Sequence, residues 1–284
     1  MRNFIQGKQV AEKFEVTTGQ AIQTKVSMSN RLARSAQGLS LSEKRIVALA
    51  LATVDSKSIS RLAEATTELG WRTKIKAHDY AAAFNIDTNT AYDQLKAASD
   101  RLLDRMVVYE DTDKRGKPRL NKIRWVSAAR YTVGDGVIEL NFTPDIAPHL
   151  LGLRSHFTSY KLQHAASFES VYAWRLFEVL ESWRSTGLYT CSIEDFWETM
   201  EAPPSCRKDF KSLRVRVIEP SVNSIQLHAG LKIEWLPVRS GARRVTSLEF
   251  RFGPDPQGQL DLREPMNGQT PNISDIAEAS LTNP

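Results

Sequence analysis

The chain has 284 residues, of which 41% are hydrophobic, and its formal net charge is +5. This length suits two domains of the commonest size, and the apolar content suits buried cores. No apolar run approaches the roughly 18 residues of a membrane-spanning helix, and the polar side chains close to Met1 do not fit a signal peptide. We therefore expect a cytoplasmic protein without a membrane partner.

The number and spacing of the cysteines argue against disulfide bonds and zinc binding. Only Cys191 and Cys206 are present, without a C-x-x-C pair or paired histidines nearby. Two isolated cysteines support neither a disulfide framework nor a zinc site. We expect simple thiols, no metal and no cofactor.

The net charge is unevenly distributed along the chain. Residues 253–284 carry −4, because five acidic side chains accompany a single basic one, Arg263, and the preceding 252 residues carry +9. A basic body favours a polyanionic partner, since each phosphate that Lys or Arg neutralises releases condensed counterions. The acidic tail is rich in Pro, Gly, Asn and Gln, and we predict that it is disordered.

The first half of the body has the pattern of helices followed by a β-hairpin. Ser40 and Glu43 have capping-box spacing ahead of one helix, and apolar spacing predicts further helices over residues 77–85 and 88–104, the last capped by Asp87. Two-residue alternation then predicts a hairpin over residues 108–125, with its turn at 114–118, and another around residues 134–136. This order is typical of a winged helix.

The second half repeats that order. Apolar residues from Phe168 to Trp183 lie at spacings of three and four, and we predict Ser167 as the N-cap of their helix. Ser192 and Asp195 form a second capping pair, a third helix begins at about Arg207, and a hairpin alternates over residues 231–252. Four positions recur 116 residues later, so that Ile75, Asp79, Tyr80 and Phe84 correspond to Cys191, Asp195, Phe196 and Met200.

We therefore predict an α+β fold of two tandem winged-helix domains related by internal duplication. The predicted domains cover residues 39–152 and 153–252. Residues 1–38 show no sustained periodicity, so we predict a peripheral segment there, and residues 253–284 form the acidic tail.

The third helix of the second half is the strongest candidate for contact with DNA, because a recognition helix presents its outward face to the major groove. With Phe210, Leu213 and Val217 facing inward, the remaining side chains are mostly basic: Arg207, Lys208, Lys211, Ser212, Arg214, Val215 and Arg216. Arg can hold guanine N7 and O6, Lys and Ser commonly hold phosphates, and Val215 can touch a thymine methyl. The alternative is a solvated basic face.

The hairpin turn after this helix is also basic, and residues 207–252 together carry +6. We expect Arg239, Arg243 and Arg244 of that turn to lie on the same side as the helix. The corresponding helix of the first half turns a nearly neutral face outward, formed by Thr90, Gln94, Ala97 and Arg101. We predict sequence-independent backbone contacts there, made by Arg101, Lys114, Arg115 and Lys117.

Three stretches resemble the iteron-binding, RepA/RepE-type replication initiators of bacterial plasmids. Residues 27–32 (SMSNRL) and 39–46 (LSLSEKRI) are similar to the start of that family's first domain. More specific is LRVRVIEPSV at residues 213–222, which resembles the second recognition helix: an apolar residue, a basic triplet, an apolar pair, a proline and a small residue. The chain departs from that pattern at Val215, where the family has a basic residue, and at Ser224, where it has glutamate.

The resemblance spans roughly residues 26–252 and implies a function. The second domain would bind iteron repeats at a plasmid origin, and the first would contribute backbone contacts in the monomer and the interface of a dimer. Such initiators act as monomers at the origin and as dimers that repress their own promoter at an inverted repeat. A host replication initiator and helicase are recruited to the melted DNA, in the bacterial cytoplasm.

Enzymatic function is disfavoured. Rolling-circle initiators hold a metal between paired histidines, but His78, His149, His156, His164 and His228 are scattered. A phosphate-binding loop is absent, because Asp111 stands where G-x-x-x-x-G-K needs its first glycine. Asp111 and Asp113 flank a hairpin turn, where solvated acids are expected rather than metal ligands.

A winged-helix transcriptional repressor without a replication role is the nearer alternative, since it would use the same surfaces. Tandem direct repeats beside the gene would favour an initiator. A single inverted repeat would favour a repressor.

Overall fold

The structure, a computed structural model, describes residues 24–53, 70–131, 134–151, 153, 155–240 and 244–255. Residues 1–23 of the predicted peripheral segment and the predicted tail from residue 256 onward lie outside this range. Along the first half the elements are β1 (Lys25–Ser29), α1 (Asn30–Arg34), α2 (Leu41–Ala52), β2 (Trp71–Lys76), α3 (Ala77–Phe84), α4 (Thr88–Leu102), β3 (Met106–Thr112), β4 (Pro118–Arg124), β5 (Val126–Tyr131), β6 (Val137–Phe142) and α5 (Ala147–Leu150).

The second half continues with a parallel set of elements. These are β7 (Phe157–Lys161), α6 (Leu162–Ala166), α7 (Val171–Glu181), β8 (Leu188–Ser192), α8 (Ile193–Thr199), α9 (Pro204–Lys208), α10 (Phe210–Leu213), a π-turn (Arg214–Ile218), α11 (Glu219–Ala229), β9 (Leu231–Ser240) and β10 (Arg244–Pro254). Because α10, the π-turn and α11 follow one another without a break, they form one recognition helix, residues 210–229.

Local capping explains where the helices begin. The Ser40 N–H donates to the Glu43 carboxylate over 2.9 Å at the start of α2. The Asp87 carboxylate accepts the first free N–H groups of α4, and the Ser192 hydroxyl accepts the N–H of Asp195 in α8. Ser167 ends α6 instead of capping α7, which begins after Ser170, so the predicted N-cap at Ser167 is wrong.

The two halves have the same sheet topology. β2, β6 and β5 form one antiparallel three-stranded sheet, and β8, β10 and β9 form another with the same strand order. The pairs found in the sequence fall on equivalent elements, since Ile75 and Cys191 lie in β2 and β8, and Tyr80 and Phe196 lie in α3 and α8. Two winged-helix domains related by duplication are therefore present.

The topology corrects the position of the first wing. The predicted hairpin over residues 108–125 is β3–β4, a separate two-stranded ribbon outside the three-stranded sheet. The counterpart of β9–β10 is β5–β6, around the turn at residues 134–136. The ribbon is an insertion between recognition helix and wing, and two hairpins in a row look alike in sequence.

The predicted peripheral segment is wrong for residues 25–38. β1 pairs antiparallel with β7, placing Val26 opposite Tyr160, and Val26, Met28, Leu32 and Ala33 are fully buried. This segment is too short to show a helical or strand period. Its partner strand follows some 130 residues later, which local patterns do not reveal.

A buried ionic cluster joins α2 to α7. The ammonium group of Lys44 (α2) is 2.5 Å from a carboxylate oxygen of Glu178 (α7) and 2.6 Å from the side-chain oxygen of Gln37. The other Glu178 oxygen accepts a hydrogen bond from the Tyr160 hydroxyl at 2.7 Å, and Arg175 Nη1 lies 3.5 Å from the oxygen that Lys44 contacts. Both members of the Lys44–Glu178 pair are at most 1% exposed.

We expect Lys44→Met to destabilise the protein by about 3–5 kcal/mol, because it leaves the buried Glu178 carboxylate without its main cation. Urea unfolding followed by circular dichroism measures the effect. Lys74→Met, at an exposed lysine of β2, is the matched control and should change little. Equal stability of the two variants would contradict the importance of the pair.

Candidate nucleic-acid interface

The recognition helix of the second domain is started by Asp209. Its backbone is extended, and its carboxylate accepts the N–H of Lys211 at 3.1 Å and both the N–H and the hydroxyl of Ser212, at 2.9 and 2.8 Å. These hydrogen bonds, with that from the Ser212 side chain first, lower the pKa of Asp209. The helix therefore begins at Phe210, and the prediction of a helix from about Arg207 is wrong, since Arg207 and Lys208 lie on the separate α9.

A π-turn interrupts this helix at residues 214–218. The N–H of Glu219 donates to the carbonyl of Arg214, five residues earlier, and Pro220 has no N–H to donate. Proline also crowds the preceding turn of an α-helix, so a widened turn accommodates it. The extra residue lets Val217 and Ile218 both enter the core.

Alignment of the two recognition helices on their caps, Asp87 and Asp209, shows what the π-turn inserts. Before the turn, the buried pair Ala91 and Leu95 of α4 corresponds to Leu213 and Val217. After it, the buried residues Ala98 and Leu102 match Ser221 and Ile225, one residue further along. The second helix thus has a one-residue insertion directly after its outward-facing triplet.

That triplet is Arg214, Val215 and Arg216, and all three side chains are exposed. Val215 is 49% exposed, which is unusual for an apolar side chain flanked by the buried Leu213 and Val217. Arg214 lies 3.5 Å from Glu219, a loose and solvent-exposed contact. The corresponding positions of α4 are Tyr92, Asp93 and Gln94.

The wing of the second domain lies beside the start of the recognition helix. Lys208, Phe210, Arg244 and Val245 line one open cleft of about 420 Å³, together with Ile193, Trp197 and Arg207. The side chain of Arg244, which begins β10 directly after the turn of the wing, is 78% exposed and lies 3.5 Å from Glu194, and Arg239 is exposed on the other arm. The start of the helix and the turn end of the wing therefore share one side of the domain, while Arg243 lies outside the described residues.

Two of the sequence-predicted residues are occupied by contacts within the protein. Arg207 donates through Nε to the carbonyl of Ala202 at 2.8 Å and through Nη1 to Glu198. The Ser212 hydroxyl is held by the Asp209 cap. Lys208 and Lys211 are exposed and have no such partner in the described part of the chain.

Arg101 of the first domain faces its own core rather than open solvent alone. Its Nε donates to the buried Glu43 carboxylate at 2.8 Å and its Nη2 to Ser42 at 3.2 Å. Arg105 binds the same carboxylate at 2.9 and 3.2 Å. Arg101 thus forms an ion pair that joins α4 to α2 while its side chain stays 48% exposed, and its contact with DNA stays a prediction.

The ribbon β3–β4 carries the remaining predicted cations. Lys114, Arg115 and Lys117 are exposed at its tip, where the Asp113 carboxylate accepts the N–H groups of Arg115 and Lys117. Lys122, also exposed, extends this basic ribbon along β4 and was missed. Residues two apart share one face of a strand, so the sequence places Lys122 on the same face of β4 as Leu120 and Arg124.

Asp111, an acidic residue of the ribbon, is held by arginine side chains. Asp111 accepts two hydrogen bonds from Arg119, at 2.9 and 2.7 Å, and lies 3.4 Å from Arg31. The hydrogen bond from Arg119 is the main reason why the pKa of Asp111 is well below its ordinary value.

In the part of the chain that the structure describes, no three His, Cys, Asp or Glu side chains are grouped as a metal site would require. None of the described helices is long and apolar enough to cross a lipid bilayer.

Comparison with known proteins assigns the chain to a family. Residues 25–181 match the model described as the initiator replication protein, WH1, and residues 192–252 match the initiator Rep protein, WH2. The chain belongs to the initiator replication protein family. The first match ends with α7, which packs against both domains and opens the second copy in the repeated order of elements.

Relatives of this initiator agree with that assignment. The PI protein of Escherichia coli is 24% identical over 261 residues, which cover 81% of this chain and 82% of that protein. A replication initiation protein of Escherichia coli is 26% identical over 209 residues, 72% of this chain and 63% of that protein. The crystal structure of the Pi initiator protein in complex with iteron DNA has the same fold, with a TM-score of 0.68 and 22% identity over 82% of this chain and 98% of that one.

We expect Glu43→Gln to weaken the acid sensitivity of this initiator's stability. Burial alone would raise the pKa of Glu43, but hydrogen bonds from Arg105, the Ser40 N–H and Arg101 outweigh it, so the pKa lies below its ordinary value of 4.5. A carboxylate with a lowered pKa stabilises the folded state above about pH 4.5 and loses that effect as the pH falls through the folded-state pKa.

Urea midpoints between neutral and acidic pH measure this effect. The wild type should lose stability on the acid side more steeply than Glu43→Gln, which is less stable at neutral pH. Glu110→Gln, at an exposed acid of the ribbon, should follow the wild-type curve. Parallel curves for the wild type and Glu43→Gln would show that the buried carboxylate does not control acid stability.

Proposed function

We propose that this chain initiates plasmid replication by binding direct repeats, or iterons, in the duplex DNA of its origin. The observation that carries the proposal is the exposed triplet of Arg214, Val215 and Arg216, on the helix whose first residue, Phe210, lines a cleft with Lys208 and Arg244. Family membership and the DNA-bound state of the Pi initiator support the choice of ligand.

The second domain, residues 153–252, makes the base contacts in this proposal. A guanidinium group can donate two hydrogen bonds to guanine N7 and O6, and the exposed Arg214 and Arg216 are placed to do so in this proposal. Val215 offers a methyl-bearing surface to thymine at the position between them. Lys208, Lys211, Arg239 and Arg244 hold phosphates on either side, which fixes the helix in its groove.

The first domain, residues 39–152, contributes contacts that do not depend on sequence. The recognition-helix positions Tyr92, Asp93 and Gln94 include no cation, and Arg101 is paired with Glu43. The exposed ribbon tip with Lys114, Arg115 and Lys117 is the basic feature suited to a phosphate backbone. We assign a dimer interface to the same domain.

The finer steps of initiation also belong to the proposal. Monomers would bind the iterons and recruit a host replication initiator and helicase in the bacterial cytoplasm. Dimers would repress the chain's own promoter at an inverted repeat. No catalytic step is assigned, so the chain acts as a DNA-binding protein and not as an enzyme.

A plasmid-establishment assay separates an initiator from a simple repressor. A replicon without this gene should be established in its host only when the protein is supplied in trans. If the replicon is maintained without the protein while the promoter becomes derepressed, the chain is a repressor and the proposal is wrong.

We expect Arg214→Ala and Arg216→Ala each to weaken binding to the cognate iteron by about 1–3 kcal/mol, roughly 5- to 150-fold, because each removes a bidentate base contact. Fluorescence anisotropy on cognate and base-substituted duplexes measures both affinity and discrimination. Arg251→Ala, at an exposed arginine on the outer sheet face of the same domain, is the matched control. Unchanged discrimination in the triplet variants would refute the base contacts.

We expect the triple variant Lys114→Ala, Arg115→Ala, Lys117→Ala to bind more weakly to every duplex by a similar factor. Loss of about two to three phosphate contacts should reduce the slope of log affinity against log salt by about 2–3. Salt titration on cognate and unrelated duplexes tests this expectation. An unchanged salt slope would remove the ribbon from the DNA interface.

A further inference from the structure

The joint between the two domains contains a carboxylate clamp formed by Glu201. This residue lies between α8 and α9, and its carboxylate accepts the N–H of Gln37 at 3.1 Å and the N–H of Gly38 at 2.9 and 3.0 Å. Two successive backbone N–H groups converging on one anion form a strong, directional contact. The clamp joins a segment of the first domain to the second domain.

On each side of the clamp, the chain continues within a few residues to a helix that forms or supports a proposed DNA-binding surface. Gly38 is two residues before Ser40, which begins α2, and α2 packs on the recognition helix α4 of the first domain. Glu201 is followed by Ala202, whose carbonyl holds Arg207, and then by the cap Asp209 of the second recognition helix. A change at this joint would therefore shift one helix surface relative to the other.

The internal duplication shows that Glu201 is not required by its own turn. Its counterpart in the first domain is Asn85, and both residues end their helix in the left-handed region, with φ of 53° and 50°. Asn and Gly suit that conformation, whereas Glu does not. Glutamate at the strained position is explained by the clamp, since the exposed Asn85 holds no other segment among the residues that the structure describes.

Neighbouring hydrogen bonds tie the same helix end to the same segment. Arg175 donates through Nη2 to the carbonyl of Thr199 at 2.9 Å and to the carbonyl of Ser35. The Thr199 hydroxyl donates to the carbonyl of Arg34 at 3.3 Å. The end of α8 is thus held against residues 34–38 at several points, of which Glu201 is the one closest to the DNA-binding elements in sequence.

We propose that Glu201 is a positioning residue that fixes the recognition helix of the second domain relative to the first domain, so that both domains engage one duplex together. This inference rests on the proposed function. A second contact surface that is already in place binds as an intramolecular event at high effective concentration. A mobile joint would lose that advantage although each domain still bound DNA.

Glu201→Asn tests the proposal, because asparagine keeps the left-handed turn, as Asn85 does, but is too short to reach Gln37 and Gly38. The control is Glu169→Asn, which removes an exposed acid outside the joint. Lengthening a duplex from the second domain's half-site to the full iteron should increase affinity for the wild type and the control. For Glu201→Asn we expect unchanged half-site affinity and loss of about tenfold or more on the full iteron. Glu201→Gln, which keeps one acceptor oxygen, should fall between the two.

A distance measurement without DNA decides the inference independently. Nitroxide labels at Ala97→Cys and Lys232→Cys, in a background without Cys191 and Cys206, report the separation of the two domains. The distribution should be narrow for the wild type and Glu169→Asn, and broad for Glu201→Asn. An unchanged distribution in Glu201→Asn overturns the positioning role. If the wild type binds no iteron, the proposed function is wrong instead. The distance measurement, which needs no DNA, then still tests the positioning role of Glu201.

Discussion

The arrangement of the molecule depends on one buried carboxylate, that of Glu178. Burial lowers the pKa of Lys44 to about 8, although the nearby charge of Glu178 acts in the opposite direction. An isolated buried charge is too costly to tolerate, so Glu178 needs partners from several segments at once. Lys44 comes from α2, Tyr160 from β7 and Gln37 from the segment before α2. These elements can satisfy the carboxylate only in one mutual arrangement, so the cluster fixes α2, β7, α7 and the segment before α2 relative to one another.

This rigidity has a direct consequence for how the protein can meet DNA. Two winged-helix domains on a flexible linker would bind their grooves independently. Binding would then cost the entropy of fixing one domain relative to the other. Here α7 is buried between the domains, and Arg175 and Glu201 bind the backbone of residues 35–38. In the proposed function, the spacing of the two DNA-binding surfaces would then be set before binding, which would suit recognition of a repeat of fixed length.

Local sequence signals predicted the elements whose stabilisation is itself local. The caps Asp87 and Ser192 and the basic triplet follow from spacing within a few residues. The pairing of β1 with β7, the insertion of the ribbon, and the contact of Arg101 with Glu43 link residues far apart in sequence, and no local period reveals them. The π-turn could have been suspected from Pro220 within a helical pattern, but its one-residue insertion becomes visible only when buried positions of both copies are compared.

The two copies have diverged in charge while retaining a common frame. Asp87 and Asp209 cap their helices in the same way, and Leu95 and Val217 occupy the same buried position. Between those fixed points, Tyr92-Asp93-Gln94 in one copy corresponds to Arg214-Val215-Arg216 in the other. Asp93 and Val215, the middle residues of the two triplets, are exposed, so their charge can differ without cost to the core, whereas Tyr92 packs partly buried against it. The first domain instead uses its helix arginines, Arg101 and Arg105, to neutralise Glu43. The arginines of the first recognition helix therefore stabilise the fold by pairing with Glu43, whereas those of the second remain exposed to a polyanion.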